Sequence, residues 1–302
     1  MFKKRLTTII FEGNEIRALT VRGNKVAGWQ TQSLDPEQMS QGMIHKPEAA
    51  SAAIKTLIEE LKASRRNVVS AVSGSRSVHR IIRIPSIPDK LLAETIERKA
   101  RQEFAIPIEE TDLSWQVITR RDNHLIIYVL AVPNLIINQQ VAALKGAGIR
   151  PKVMDIKPLA LSRLTDRETS IVVSLEDHAM DVIIIVNHIP MLVRSIPLES
   201  GNLTGEAKTD LLSQELARTT KYYNESHKTN RLPEDTPVII SGALFSSSRV
   251  ESRLDDDPSL IERLSIRVPY TLKPPLSPLE LPEKFPLLRY AANLGLAAKK
   301  TG

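Results

Sequence analysis

Glu176-Asp177-His178, followed by Asp181, is a close set of titratable side chains whose oxygen-rich make-up could hold a hard cation. The set has no H-x-H or H-E-x-x-H spacing. The six histidines (His45, His79, His124, His178, His188, His227) are scattered, so the cluster reads as a solvated turn between strands. Gly146-Ala147-Gly148 lacks the third glycine of a dinucleotide loop and follows a helical pattern, so it reads as a helix end. Neither a Walker A run nor a G-x-S-x-G elbow is present, and Ser246-Ser247-Ser248 reads as a polar loop. With no cysteine, the chain has no disulfide, thiolate metal site or cysteine nucleophile. Catalysis has no supporting constellation. Recognition has one: Arg76, His79, Arg80 and Arg83 are interleaved with Ile81, Ile82 and Ile84. That pattern suits an ordinary half-buried strand, and equally a strand edge that accepts a peptide. It lacks the interleaved aromatics of a single-strand nucleic-acid groove, so no nucleic-acid partner is expected.

The elements that must hold these residues repeat. Strands are expected at Thr7–Ile10, Ile16–Val21 and Lys25–Gln32, joined by Glu12-Gly13-Asn14 and Arg22-Gly23-Asn24, which is hairpin chemistry. A helix opening at Pro47 follows, with Ala50, Ile54, Leu57, Ile58 and Leu61 on one face. Strand Asn67–Val72 then ends in Ser73-Gly74. The order recurs with strands at Ile171–Leu175, Asp181–Val186 and Met191–Ile196, a helix over about Lys208–Ser226, and strand Val238–Ser241 ending at Gly242. Strand-strand-strand-helix-strand twice over is an internal duplication. It describes a two-lobe α/β architecture of the actin, Hsp70 and sugar-kinase (ribonuclease H-like) type. Between the copies, strand, helix, two strands and helix over residues 78–150 form a separate α+β pattern. The expected domains are therefore 1–77 (first lobe core), 78–150 (inserted subdomain) and 151–302 (second lobe, ending in a proline-rich strap and a short helix near Tyr290–Ala298).

Composition permits this. The 302 residues are 42% apolar and 25% charged, ordinary globular values that exclude wholesale disorder. The longest uncharged run, Leu125 to Leu144, contains Pro133, Asn134, Asn138, Gln139 and Gln140 and reads as a strand followed by a helix, not a membrane span. The apolar stretch after Met1 is too short for a signal peptide, so a cytoplasmic chain is expected. Residues 1–105 carry 18 Lys+Arg against 11 Asp+Glu, a balance of +7 within a net charge of +6. Such a surface could face anionic headgroups or an acidic peptide.

Several stretches taken in order resemble the type IV pilus assembly protein PilM family, a relative of the cell-division protein FtsA: Val78–Pro88, Gln102–Glu110, Asp112–Val117, Leu130-Ala131-Val132-Pro133, Ala147–Pro151 with Asp155, and Leu294-Gly295-Leu296-Ala297. The stretch Ser200-Gly201-Asn202-Leu203-Thr204 resembles the family's run of a glycine followed by Leu-Thr. The resemblance implies an actin-like fold with an FtsA-type insertion. Actin-like ATPases hold phosphates in two hairpin turns with Asp-x-Gly cores, where bare backbone N–H groups approach the phosphate oxygens. This chain departs there: Ile10 and Ser174 replace the acids, Glu12 and Glu176 fall at the glycine positions beside Gly13, and only Gly242 of the adenosine-side turn is kept. The long helical segment of a nucleotide-covering subdomain that should follow Thr204 is missing, the chain going directly to Leu211–Leu216, which implies a reduced subdomain around 200–225. The expectation is a pseudo-ATPase without catalytic residues, cofactor, metal or ATP. Peripheral attachment at the inner membrane face is implied, through the cytoplasmic tail of a PilN-like protein and alongside other pilus assembly proteins. The candidate tail-binding residues are Arg80, Ile81, Ile82, Arg83, Ile84, Leu91 and Leu92. The rival readings are a PilM-like ATPase that still binds ATP and the cytoplasmic domain of a type II secretion protein L homologue.

Overall fold

The structure is a computed structural model that describes residues 5–198, 203–246 and 260–299. Its chain falls into two compact units, Arg76–Gln140 and the remainder.

The larger unit opens with three antiparallel strands, β1 (Arg5–Glu12), β2 (Glu15–Arg22) and β3 (Lys25–Ser33). A small hairpin, β4 (Met39–Ser40) and β5 (Met43–Ile44), leads to helix α1 (Pro47–Glu60). Pro47 takes the first helical position, where its missing N–H costs nothing. Strand β6 (Val68–Val72) then pairs parallel with β1. Alternation along β1 sends Ile9 and Phe11 to α1, where they pack with Ile54, Leu57 and Ile58.

The smaller unit begins with β7 (Val78–Pro85), followed by α2 (Leu92–Glu103), β8 (Thr111–Arg121), β9 (His124–Pro133) and α3 (Asn134–Gly146). Its three strands are antiparallel in the order β7-β9-β8, which leaves β7 and β8 as the two edges. Ile82, Ile84, Leu125, Ile127 and Val129 cover Leu92, Ile96 and Ala100 of α2, with Phe104 and Ile108 closing the core.

The expected boundary at residue 150 shifts in two ways. From Val141 onward α3 belongs to the larger unit, because Ala143, Leu144, Ala147 and Ile149 pack with α1. Strand β10 (Val153–Ile156), assigned from sequence to the second lobe, pairs parallel with β6 and completes the first sheet in the order β10-β6-β1-β2-β3. Four residues after Pro151 carry no readable period, and the pairing is non-local.

Helix α4 (Lys157–Leu161) leads to β11 (Ser170–Leu175), β12 (Ala179–Val186) and β13 (Ile189–Pro197). Asn187 and His188 both take positive φ in the tight β12–β13 turn. Helix α5 (Gly205–Ser226) lies under the second sheet, its start capped by Thr204, whose hydroxyl accepts from the Ala207 N–H at 3.2 Å. Ser200, Gly201 and Asn202 of the stretch that resembles the family lie outside the described residues, as do Ser247 and Ser248. The passage from Pro197 to Gly205 is too short for an added subdomain. Strand β14 (Val238–Ser241), helix α6 (Leu260–Arg267), β15 (Leu272–Lys273) and helix α7 (Ala291–Ala297) complete the chain.

The second sheet runs β13-β12-β11-β14-β15, strand for strand the order of the first. The inner faces of both sheets share one core, in which Ile10, Leu19, Val69, Val172, Ile183 and Ile239 meet Leu294 and Leu296 of α7. Asn293 fixes that helix by donating to the carbonyls of Thr8 and Arg17.

Candidate functional site

Strand parity decides which charged side chains enter the space between the sheets. On β2, Ile16 and Ala18 face α1, so Arg17 turns inward beside Leu19. On β1, Phe11 faces α1, so Glu12 turns inward. On β11 and β12, Val173, Leu175, Met180 and Val182 pack on the α5 side, which leaves Ser174 and Asp181 pointing back. Lys157 enters from the first position of α4. Glu12, Arg17, Lys157, Glu176 and Asp181 are all buried, none more than 5% exposed. Charges this deep persist only where they neutralise one another.

They do so as one network. Arg17 grips Glu176 with both terminal nitrogens, at 3.0 and 2.8 Å. Arg17 also holds Glu15 at 2.9 Å, and Arg289 takes the same carboxylate at 2.7 and 2.8 Å. The Lys157 ammonium sits 2.6 Å from Glu12, 3.2 Å from Asp181 and 3.9 Å from Glu176. The Ala243 N–H donates to Glu176 at 3.2 Å, and Ser195 donates its hydroxyl to Asp181. The first lobe supplies Glu12, Glu15 and Arg17 and the second supplies Glu176 and Asp181, so the ion pairs join the two sheets.

Burial alone would raise the Glu176 carboxyl. The Arg17 guanidinium, then the Lys157 ammonium, together with hydrogen bonds from Arg17 and the Ala243 N–H, hold it at about 2. Burial raises Glu12, and the neighbouring Glu176 and Asp181 charges add to that against Lys157 and Arg17. Lys157 and Arg17 are both raised: burial works against their charge, and the surrounding carboxylates outweigh it.

The hairpin turns themselves touch. Gly13 has φ of +60°, and a Cβ there would overlap the His178 ring from the opposite turn. Gly242 has φ of +112°, and a Cβ would run into the Leu175 backbone. The three turns expected from sequence to face a nucleotide therefore converge, with Ile10 buried in the shared core and the Ser174 hydroxyl buried beside the network. The solvated turn expected at 176–181 is corrected. Glu176 is 3% exposed and bound to Arg17, Asp181 faces Lys157, and Lys208 reaches the Asp177 carbonyl at 3.0 Å. Glu12 and Glu176, which stand at the glycine positions of the two turns, each have a cation against them, Lys157 at 2.6 Å and Arg17 at 2.8 Å. Sequence reasoning found Glu12 and Glu176 but missed Lys157, Glu15, Asp181 as an inward group, and Arg289. The parity of Arg17 and Asp181 on their strands was the available signal.

In the smaller unit the seven tail-binding candidates separate. Ile82, Ile84 and Leu92 lie in its core at 2–3% exposure, and as core residues they cannot line a surface pocket. Arg80, Arg83 and Leu91 are exposed and Ile81 is half-buried. The Arg76 side chain lies outside the described part. His79 stacks on Tyr128 with ring centroids 5.7 Å apart, and burial, with the Arg80 charge, lowers its imidazole to about 4.

Two sheets of matching strand order, each built strand-strand-strand-helix-strand, define a duplicated actin-like fold whose phosphate-type turns are bridged by ion pairs. The type IV pilus assembly protein PilM family matches residues 15–199, more than half of the chain. The chain belongs to that family. A solved PilM–PilN type IV pilus biogenesis complex is similar over 97% of both chains, with a TM-score of 0.77 at 21% identity. The ethanolamine utilization protein EutJ from Carboxydothermus hydrogenoformans matches with a TM-score of 0.54 at 11% identity, over 98% of this chain and 90% of that one. The cytoplasmic domain of EpsL, an inner-membrane component of the type II secretion system of Vibrio cholerae, matches at 0.52 and 14%, over 87% and 94%. No curated protein matches the chain by sequence.

Proposed function

We propose that this protein is a non-catalytic component of type IV pilus assembly, cytoplasmic and peripheral to the inner membrane, that binds the N-terminal tail of a PilN-like membrane protein. The observation that carries the non-catalytic reading is the bidentate Arg17–Glu176 pair with Lys157 between Glu12 and Asp181. A nucleotide's phosphates would have to enter between turns already joined by buried ion pairs, displacing Glu12 and Glu176 from their cations. Removing one partner of such a pair costs about 3–5 kcal/mol. Phosphate binding would have to make up that cost before any net affinity appeared.

The partner reading rests on family membership, on the similarity to a solved PilM–PilN complex, and on β7 as an edge strand of its three-stranded sheet. An edge strand offers a row of unpaired main-chain groups to an added strand, with alternate side chains setting selectivity. Arg80 and Arg83 are exposed along it, suited to acidic groups in the tail. Basic residues close to an anionic surface contribute on the order of 1 kcal/mol each to membrane attachment. Fluorescence anisotropy with a labelled PilN-tail peptide is the test. We expect saturable binding in nucleotide-free buffer, the same dissociation constant after magnesium-ATP is added, and weaker binding by Arg80→Glu/Arg83→Glu. A tail that binds only in the presence of ATP would contradict the reading.

A further inference from the structure

The second edge of the small sheet, β8, has a sequence complementary to itself. Asp112, Ser114, Trp115, Gln116, Arg120 and Arg121 are exposed along it, and Trp115 keeps 40% of its surface in water. An edge strand presents a row of N–H and C=O groups that can template pairing with another chain. In β8 the pairing with β9 slips between Val117 and Thr119, so Ile118 is an inserted, bulged residue. The bulge fixes which side chains share a face. Leu113 and Val117 pack on the α2 side, and Trp115 and Arg120 share that side, because Arg120 reaches Asp89 just ahead of α2 at 2.9 Å. Asp112, Ser114, Gln116, Thr119 and Arg121 lie on the other face, opposite Val132, Leu130, Tyr128, Ile126 and His124 of β9.

We propose that two copies of this protein pair antiparallel along β8, with Gln116 on the two-fold axis, to make one continuous six-stranded sheet. In that register Trp115 stands opposite Val117 of the second copy, Ser114 opposite Thr119, Leu113 opposite Arg120, and Asp112 opposite Arg121. Every pair joins residues of the same face, and the bulge decides the partners: stepping from Ser114/Thr119 to Trp115/Val117 advances one residue on one strand and two on the other, Ile118 supplies the extra one, and without it Asp112 would meet Arg120 instead of Arg121. The arrangement is isologous, so both ends receive an Asp112–Arg121 ion pair and both Trp115 rings are covered. Charge complementarity selects a second copy over an unrelated partner, because the acid at the start of the strand and the base at its end match only when the strand meets itself reversed.

The chain has no cysteine, so a single introduced thiol reports the register directly. Sedimentation equilibrium of the full chain should show a monomer–dimer equilibrium. Asp112→Arg and Arg121→Asp should each weaken it by roughly tenfold, and the double variant should restore it, an outcome that a folding defect would not produce. Under oxidation Gln116→Cys should form a covalent dimer, whereas Ser114→Cys should not unless Thr119→Cys is also present. A protein that is monomeric at every concentration, or a dimer unmoved by charge reversal and lacking the Gln116→Cys cross-link, would overturn the proposal.

Discussion

Glu176 carries two cations and a backbone N–H on one carboxylate, and its behaviour with pH follows from that. A carboxyl held at about 2 in the folded chain and near 4.5 when unfolded contributes its full stability above pH 4.5. The contribution is lost as pH falls from 4.5 towards 2, because the unfolded chain takes up the proton first. Glu12 has the opposite sign: raised on folding, it costs stability as pH rises through its unfolded value, so acid relieves part of its burden. Glu176→Gln should therefore flatten the loss of stability between pH 4.5 and 2 and lower stability at neutral pH by about 3–5 kcal/mol, since it removes the bidentate charge partner of the buried Arg17 and leaves that guanidinium paired with Glu15 alone. Urea unfolding at pH 7, 4.5 and 3 reads both effects; an unchanged acid slope would contradict this account of Glu176. The carboxylates at 12 and 176 were legible because they stand where glycine is expected in each turn. Lys157 was not, because a lone lysine after a four-residue strand has no local signature and acquires its role only when α4 reaches the opposite sheet.

At the level of elements, β7 divides its residues between two tasks. Ile82 fills the core against α2, and truncating it to alanine should cost about 2–5 kcal/mol in urea melts, as for other buried aliphatic side chains. Glutamate at Arg80 and Arg83 should stay within about 0.5 kcal/mol of the parent, because exposed positions contribute little. A comparable loss from the arginine changes would mean that these side chains are structural. His79, on the same strand, should titrate near 4 in a histidine NMR series, well below its ordinary 6.5. Because the unfolded imidazole binds its proton first, this group withdraws stability as pH falls from 6.5 to 4. A midpoint near 6.5 would show the ring to be solvated. The strands and α2 were readable from their periods, and hydrophobic alternation alone would have sorted Ile82 and Ile84 from Arg83. Which face was core still required knowing where α2 lies.

Across the whole molecule, the duplication was visible because both copies place the same elements in the same order, and the matched sheet orders follow from it. The boundaries were less visible, because β10 and α7 return from distant sequence to the first sheet and the shared core. Asp155 at the end of β10 is held by Arg163 at 2.9 Å and by Lys299 at 3.0 Å, tying the end of the described chain to that strand. The lobes are thus joined by covalent chain, by apolar contact and by buried charge. The central claim is that this charge takes the place of a nucleotide. Isothermal titration of magnesium-ATP into the full chain at pH 7 tests it most directly. We expect no saturable heat at ligand concentrations up to a millimolar, and a melting temperature unmoved by the nucleotide. A binding isotherm with micromolar affinity would show that the turns open to admit phosphate, and would contradict the claim.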